Sequence, residues 1–344
     1  MHPKSSRRGR TLLVLSGFIV FAAILIFLFH KLNNKINSLH NAVVSLEGYL
    51  DKSIEDMHKE NAAAHSRLSV VPDLSSHGNG WKITQFGDVE GLQEMCYTIS
   101  TDTGLAIIDG GWDYEVDRLR RIIASYGNSV DAWIITHPHN DHITAFLEIY
   151  KDPQGIAIHH VYTPQMPELS VLESNAGWDD YSLLEELLSL QIPQLEYLYT
   201  GDERNILGLK MKVLSACSEE IDSISNDLMN DGSMVFKLSG EKNSILFCSD
   251  AGSANGNEEL SRKIISEFKK DLKSDYLQIS HHGFGGLSDE FNDLVDARGV
   301  FFDSPAWHLT STGKISSKEN DLRMQKQGRI VYSFFTVPNQ ILLQ

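Results

Sequence analysis

The chain is short of the residues that mark several common chemistries. It has three cysteines in 344 residues, Cys96, Cys217 and Cys248, and no Cys-x-x-C pair. A thiolate zinc site of the usual spacing is therefore not suggested. Three is also an odd number for a disulfide framework, so three small buried apolar residues are expected, with a single bridge left open. No Gly-x-Ser-x-Gly elbow occurs, which removes the usual serine-hydrolase turn. Walker and dinucleotide glycine motifs are missing as well. Positive charge is scarce over most of the length. Residues 1–80 carry nine Lys/Arg against six Asp/Glu, so with a whole-chain charge of −16 the remainder stands at −19. A domain that acidic lacks the basic surface needed for broad capture of polyanions. Bound cations would invert the local field and still admit one phosphodiester.

What is present begins with an anchor. Residues 11–29 run without a formal charge, nearly enough, at about 1.5 Å per residue, to span a hydrocarbon core of ~30 Å. Lys4, Arg7, Arg8 and Arg10 precede the run, while Lys31 and Lys35 follow it. Residues 1–10 are thus expected to be a cytoplasmic tail, with the rest of the chain outside the cell membrane. No small-x-small cleavage site follows, which favours an uncleaved single-pass anchor over a signal peptide. Ile36, Val43, Leu50 and Met57 then alternate with Leu32, Leu39 and Leu46 as the two core positions of a heptad. That pattern predicts a helical stalk over 30–68, pairing as a parallel two-stranded coiled coil and so a homodimer; a lone amphipathic helix is the alternative. Residues 69–80, with Pro72, Ser75, Ser76, Gly78 and Gly80, read as a linker.

From Trp81 onward the periodicity changes. Strands are expected at 81–86, 94–100, 104–109, 131–136, 156–162, 209–214, 234–238, 244–248, 276–280, 300–303 and 329–334, the last closing the chain. Helices are expected over 114–126, 141–150, 179–190, 258–270 and 316–327. Two sets of strands and helices within residues 81–344 predict packed sheets with helices outside, a four-layer α/β arrangement.

The sharpest motif is His137-Pro138-His139-Asn140-Asp141-His142, directly after the apolar strand ending at Thr136. Four metal-ligand side chains fall within six positions, beyond a strand end where α/β proteins place their ligands. Pro138 holds His137 in extended backbone. Imidazole and carboxylate donors suit Zn, Mn or Fe better than Mg or Ca. Asp250 follows the strand at 244–248 and could bridge two cations. His281 and His282 follow the strand at 276–280 and precede Gly283. Neighbouring side chains at a strand end point to opposite sides, so the two are expected to do different jobs.

Together with Asp109-Gly110-Gly111 upstream, these motifs resemble the metallo-β-lactamase superfamily, in order and spacing across nearly all of residues 81–344. The resemblance implies an αββα sandwich with two divalent metal ions, most simply zinc. It assigns His137 and His139 to the first metal, Asp141 and His142 to the second, and Asp250 as the bridge. It further implies that one histidine of the pair, His282, completes the second site. His281 would then face substrate, stabilising developing charge or protonating the leaving oxygen; the reverse order is open. Asp109 is expected to support the metal-bound histidines by hydrogen bonding. Many members carry a further histidine later in the chain for the first metal. Here only His159 and His160 lie between His142 and His281, and ordinary surface or core histidines are the competing reading.

Within the superfamily, Asn230 to Val235, the Ser249-Asp250-Ala251-Gly252 turn and the His-His-Gly motif look most like two groups. These are hydrolase domains of DNA-internalisation competence proteins and phosphorylcholine esterases acting on teichoic acids. That likeness implies a phosphodiesterase on an envelope or extracellular substrate, with Asn230 beside the site and Asp141 orienting the attacking water. Phe284 stands where those groups have Ser. His308 would contact substrate, and Trp178, Tyr181 and Trp307 could line a pocket, plain packing being the alternative. A lactonase, thioesterase or β-lactamase would use the same metals. A non-catalytic membrane-tethered binding protein is the reading of a different class, and it would require lost ligands.

Overall fold

The computed structural model describes Lys35 and residues 80–88, 90–311, 316–334 and 338–344. The expected tail, anchor, stalk and all but the last residue of the linker lie outside the described residues, Lys35 apart. Among the described residues, no helix is long and apolar enough to cross a membrane.

Among those residues the strands run, in chain order, β1 (Trp81–Gln85), β2 (Cys96–Ser100), β3 (Leu105–Asp109), β4 (Ser129–Val130), β5 (Ala132–Ile134), β6 (Ala157–Ile158), β7 (Val161–Pro164), β8 (Leu195–Leu198), β9 (Glu203–Ile206), β10 (Leu209–Ser215), β11 (Val235–Ser239), β12 (Ser244–Phe247), β13 (Tyr276–Gln278), β14 (Gly299–Pro305), β15 (Ile330–Phe334) and β16 (Asn339–Leu343). The helices are α1 (Val116–Ser125), α2 (Asn140–Lys151), α3 (Leu169–Ala176), α4 (Ser182–Ser189), α5 (Glu219–Asp222), α6 (Leu228–Asp231), α7 (Glu258–Leu272), α8 (Asp289–Val295), α9 (Ala306–Thr310) and α10 (Lys318–Lys326).

Two seven-stranded sheets form a mixed α/β sandwich. One has the order β16-β1-β2-β3-β5-β7-β8, the other β15-β14-β13-β12-β11-β10-β9. Each is antiparallel over one half and parallel over the other. The core between them joins Ile83, Tyr97 and Ile99 of the first to Phe236, Phe247 and Phe301 of the second. Outside the first sheet, Trp133 packs with Leu119 and Ile123 of α1 and Phe146 of α2. Outside the second, Val300 packs with Leu260 and Ile264 of α7 and Phe291 of α8. Both faces of the parallel strands are covered, so β3, β5 and β12 are buried along their whole length and read as continuous apolar runs. The three cysteines are free and buried, as expected of apolar filler.

Several expected elements are revised. The single strand at 156–162 is two: β6 pairs with β4 in a separate ribbon, while β7 joins the first sheet. The helix expected from 179 begins at Ser182, because Asp179 and Asp180 turn their carboxylates onto the N–H groups of Asp180 and Ser182, a local bond that competes with helix. The strand at 330–334 does not end the chain. β16 follows it, crosses to the other sheet and pairs with β1, Ile83 opposite Ile341.

Candidate metal centre

Four strand ends converge at the mouth between the two sheets. Asp109 ends β3, His137 follows β5, Asp250 follows β12 and the histidine pair follows β13. His139 is the residue before α2, in extended backbone, and Asp141 and His142 lie in that helix's first turn. A carboxylate is favoured there by the helix dipole. Gly111 lets the turn after Asp109 close: at φ +76° an added Cβ would come 2.1 Å from the Glu94 carboxylate. The Gly111 N–H then donates to the His142 carbonyl at 3.2 Å.

The imidazoles and carboxylates fall into two sets. His137, His139 and Asp250 form one, Asp141, His142 and His282 the other, each with ligand atoms within 4.8 Å of one another. Asp250 Oδ2 lies 3.3 Å from both His142 Nε2 and His282 Nε2, and 3.8 Å from His137 Nε2. It therefore stands between the sets. His282 Nε2 is also 3.2 Å from Asp141 Oδ2. All these side chains are buried or nearly so, yet His142 Nε2, His282 Nε2 and Asp250 Oδ1 have no hydrogen-bond partner among the described residues. Buried polar atoms without partners are costly, and a shared pair of cations would satisfy all three. These His/Asp clusters suit a dimetal site.

A second layer of hydrogen bonds fixes each ring. Asp109 accepts the Thr136 N–H on Oδ1 at 2.7 Å and meets His142 Nδ1 with Oδ2 at 2.8 Å. His282 Nδ1 lies 3.0 Å from the Asp303 carbonyl. His137 Nδ1 has the Ser249 and Thr136 hydroxyls at 3.3 Å. His139 turns Nδ1 toward His137 and places Nε2 3.1 Å from Asp179 Oδ2. Asp109 thus lies hydrogen-bonded to the His142 ring; Asp179 had no signal in the sequence, because a lone carboxylate forty positions downstream belongs to no motif.

The electrostatics follow from packing rings and carboxylates together. Burial and the neighbouring His142 and His139 depress His137 well below the usual imidazole range. Burial also opposes charge on His142 and His282, but nearby carboxylates prevail. Asp250 and Asp109 hold His142 well up, and Asp250 and Asp141 bring His282 to about 10. Despite their own burial, Asp141 and Asp250 are held below the usual carboxylate range, Asp141 mainly by His142 and Asp250 by His282. A pocket that attracts protons this strongly attracts cations by the same potential.

The histidine pair departs from expectation. β13 stops at Gln278, and His281 and His282 both adopt left-handed backbone, at φ 50° and 54°. Alternation ceases with the strand, so both rings swing to the same side, and His281 Nε2 also comes within 3.8 Å of Asp250 Oδ2. His281 Nδ1 lies 3.1 Å from the Phe284 carbonyl. A carbonyl only accepts, so Nδ1 carries the proton and Nε2 offers a lone pair in the neutral ring. Burial brings His281 down to about 4. In the metal-free chain the neutral ring therefore turns an unprotonated Nε2 toward Asp250.

Other expected residues sort as follows. Asn230 is buried and donates to Asp227 Oδ2 at 3.0 Å. His308 is buried, its Nδ1 3.1 Å from Ser304 Oγ, which donates to the His282 carbonyl at 2.5 Å. Tyr181 is packing, its hydroxyl donating to the Leu172 and Ala176 carbonyls. Trp178 and Trp307 are exposed. His159 and His160 are exposed and stand apart from the metal-ligating sets, beside a cavity of about 500 Å³ with Asp131 and Asn205. A third acidic group, Asp88, Glu94 and Glu115, is met by the Arg118 guanidinium at 2.8 Å from Glu94 and 3.0 Å from Glu115.

A buried polar chain ties the two sheets next to the His/Asp clusters. Asp303 on β14 accepts from Tyr97 at 2.5 Å, Gln85 at 2.7 Å and Gln278 at 2.9 Å. Gln278 Oε1 in turn accepts the N–H groups of Cys248 and Ser249, fixing the turn that carries Asp250.

No curated protein matches the chain in sequence. Among solved structures, the diiron β-hydroxylase CmlA from Streptomyces venezuelae is 14% identical with a TM-score of 0.47, over 76% of this chain and 54% of its own. The chain thus spans about half the length of that protein. The metallo-beta-lactamase fold protein YhfI from Bacillus subtilis is 9% identical, TM-score 0.46, over 77% of this chain and 100% of its own. Igni18, a metallo hydrolase from Ignicoccus hospitalis KIN4/I, is 13% identical, TM-score 0.46, over 77% and 99%. Residues 89–206, which hold Asp109 and the whole His137–His142 motif, match the sequence profile of the metallo-beta-lactamase superfamily, and the chain carries a domain of that superfamily.

Proposed function

We propose that this chain is a metal-dependent hydrolase of phosphodiesters or phosphoesters, held at the cell membrane by residues 11–29 with its catalytic domain outside. The observation that carries the catalytic reading is the pair of His/Asp sets with Asp250 between them. In this reading His137 and His139 hold the first cation, Asp141, His142 and His282 the second, and Asp250 both. Zinc fits the nitrogen and oxygen donors, as would Mn or Fe. Two such ions lower the pKa of a shared water and clamp the attacking and leaving oxygens of a displacement.

The chain's own residues divide the remaining work. Asp141 would help hold the second cation and orient the attacking water. His281, with Nε2 unprotonated, accepts a proton from that water or from a substrate hydroxyl. The envelope location is supported by the uncharged run and its heavier basic flank; a reporter fused after Gln344 that is active in the cytoplasm would overturn it. Dimerisation through 30–68 is supported by the heptads and would be refuted if the solubilised full chain sediments as a monomer. Phe284 supports a second substrate class. Its buried ring packs on His281 at 4.3 Å and brings no hydroxyl to a phosphate oxygen, which favours a carboxylic ester, thioester or lactone as the alternative.

The test is metal content and bis(p-nitrophenyl) phosphate hydrolysis by the full chain and by Asp250→Ala. Two metals per chain with activity lost in the variant is the expected result. Metal with turnover of lactones or thioesters alone would move the assignment to that class. A metal-free, inactive chain would leave a tethered binding protein.

A further inference from the structure

The two proposed cations are not held alike. Beyond the shared Asp250, the second has three protein ligands, Asp141, His142 and His282, while the first has two, His137 and His139. Retention of the first ion therefore depends more heavily on how well each of its two rings is aimed. The outer partners of His142 and His282 lie deep in the sandwich, on Asp109 and the Asp303 carbonyl, and His137 meets the Thr136 and Ser249 hydroxyls there. His139 alone among the four takes its partner from a surface turn, between α3 and α4.

We propose that Asp179 is the positioning residue for the first metal, acting through His139; this rests on the dimetal reading above. Asp179 Oδ2 sits 3.1 Å from His139 Nε2, on the far side of the ring from Nδ1, which faces His137 Nε2 at 3.0 Å. The ring separates Asp179 from the cation, so its carboxylate is an outer partner and not a ligand. It fixes the Nε2–H tautomer, leaves the Nδ1 lone pair for the metal and raises the ring's donor strength. The carboxylate is itself set, since Asp179 Oδ1 accepts the Asp180 N–H at 2.8 Å and the side chain is only 12% exposed. The neighbouring Trp178, by contrast, is 70% exposed. The occupancy of the first site is thus tied to a short exposed turn, through a residue that touches neither metal nor substrate.

The test titrates the metal-stripped full chain with Zn²⁺ against a chromophoric chelator, and records the visible bands of the Co²⁺ form. Asp179→Ala should loosen one of two ions about 10–100-fold, leave the other within about twofold and alter one set of Co²⁺ bands. Asp179→Asn, whose amide oxygen still accepts the Nε2–H, should fall between. Added to His139→Ala, Asp179→Ala should cost nothing further, as a residue acting through His139 requires. Unchanged affinities in Asp179→Ala, equal loosening of both ions, or full additivity with His139→Ala would each overturn the assignment. A wild-type chain that binds fewer than two ions would instead overturn the dimetal reading beneath it.

Discussion

Asp109 Oδ2 meets His142 Nδ1 at 2.8 Å while its other oxygen takes the Thr136 N–H at 2.7 Å, so one carboxylate sets both the ring of a metal ligand and the strand end that launches the motif. Its backbone is left-handed at φ 55°, a conformation Asn also tolerates. Asp109→Asn should therefore keep the turn but lose the charged partner of His142. Metal affinity should fall about 10–100-fold with folded content intact by circular dichroism. Asp109→Ala should in addition unfold at lower denaturant, since buried groups left unpaired cost about 1–3 kcal/mol.

Removing the bridge should do more. Asp250→Ala takes away the carboxylate oxygen that lies 3.3 Å from both His142 Nε2 and His282 Nε2, and metal content should drop from two ions per chain to one or none. In the metal-free variant, His282 should titrate below the native value of about 10, since its largest opposing partner is gone. NMR of the histidine ring protons would follow this directly, and an unchanged titration would refute the account of the site's field.

Protons and cations should compete. His282 is raised in the folded metal-free chain to about 10, against about 6.5 for an unfolded imidazole. The stability this group contributes is whole below pH 6.5 and is lost as pH rises through 10. Thermal melting of the chelated protein should thus fall across that window, while metal affinity rises as the ring gives up its proton. Differential scanning fluorimetry with and without chelator, from pH 6 to 10, checks both slopes.

The buried polar chain around Asp303 makes a separate prediction. Burial brings Asp303 up to about 6, even with Tyr97 donating to it. Tyr97→Phe removes that donor, so Asp303 should rise further and unfolding by urea should come about 1–3 kcal/mol earlier at pH 8. The loss should shrink near pH 5, where the carboxyl is protonated in the variant. A pH-independent loss would assign the effect to packing.

Much of this was legible because the chemistry is local. Four candidate ligand side chains within His137–His142, after a buried apolar strand, declare a site without any tertiary knowledge. Asp250 and the histidine pair are readable for a similar reason, each following a short buried strand. What escaped depends on backbone turns and distant partners. The pair's common orientation arises from two left-handed residues, and alternation along a strand says nothing beyond its last bond. The helical periodicity of 179–190 puts Asp179 inside a helix; its side chain and that of Asp180 delay the start of that helix to Ser182. β8 and β9 carry charged exposed residues such as Glu196 and Glu203, as edge strands do, and so hide their pattern. β16 is adjacent in sequence to β15 but pairs in the other sheet, and no periodicity encodes a partner.

The proposed ligands divide between the two sheets, and that division has a mechanical side. Ser249 Oγ meets Thr136 Oγ1 at 2.6 Å across a separation of 113 positions, and the proposed cations would sit over the same seam. Each ion would then act as a rivet closing a very long loop, where the entropy of closure is greatest. Neither half holds a complete site. A cut in the segment between β9 and β10 would leave His137, His139, Asp141 and His142 on one piece and Asp250 and His282 on the other, so both ions would bind fully only where the two pieces meet.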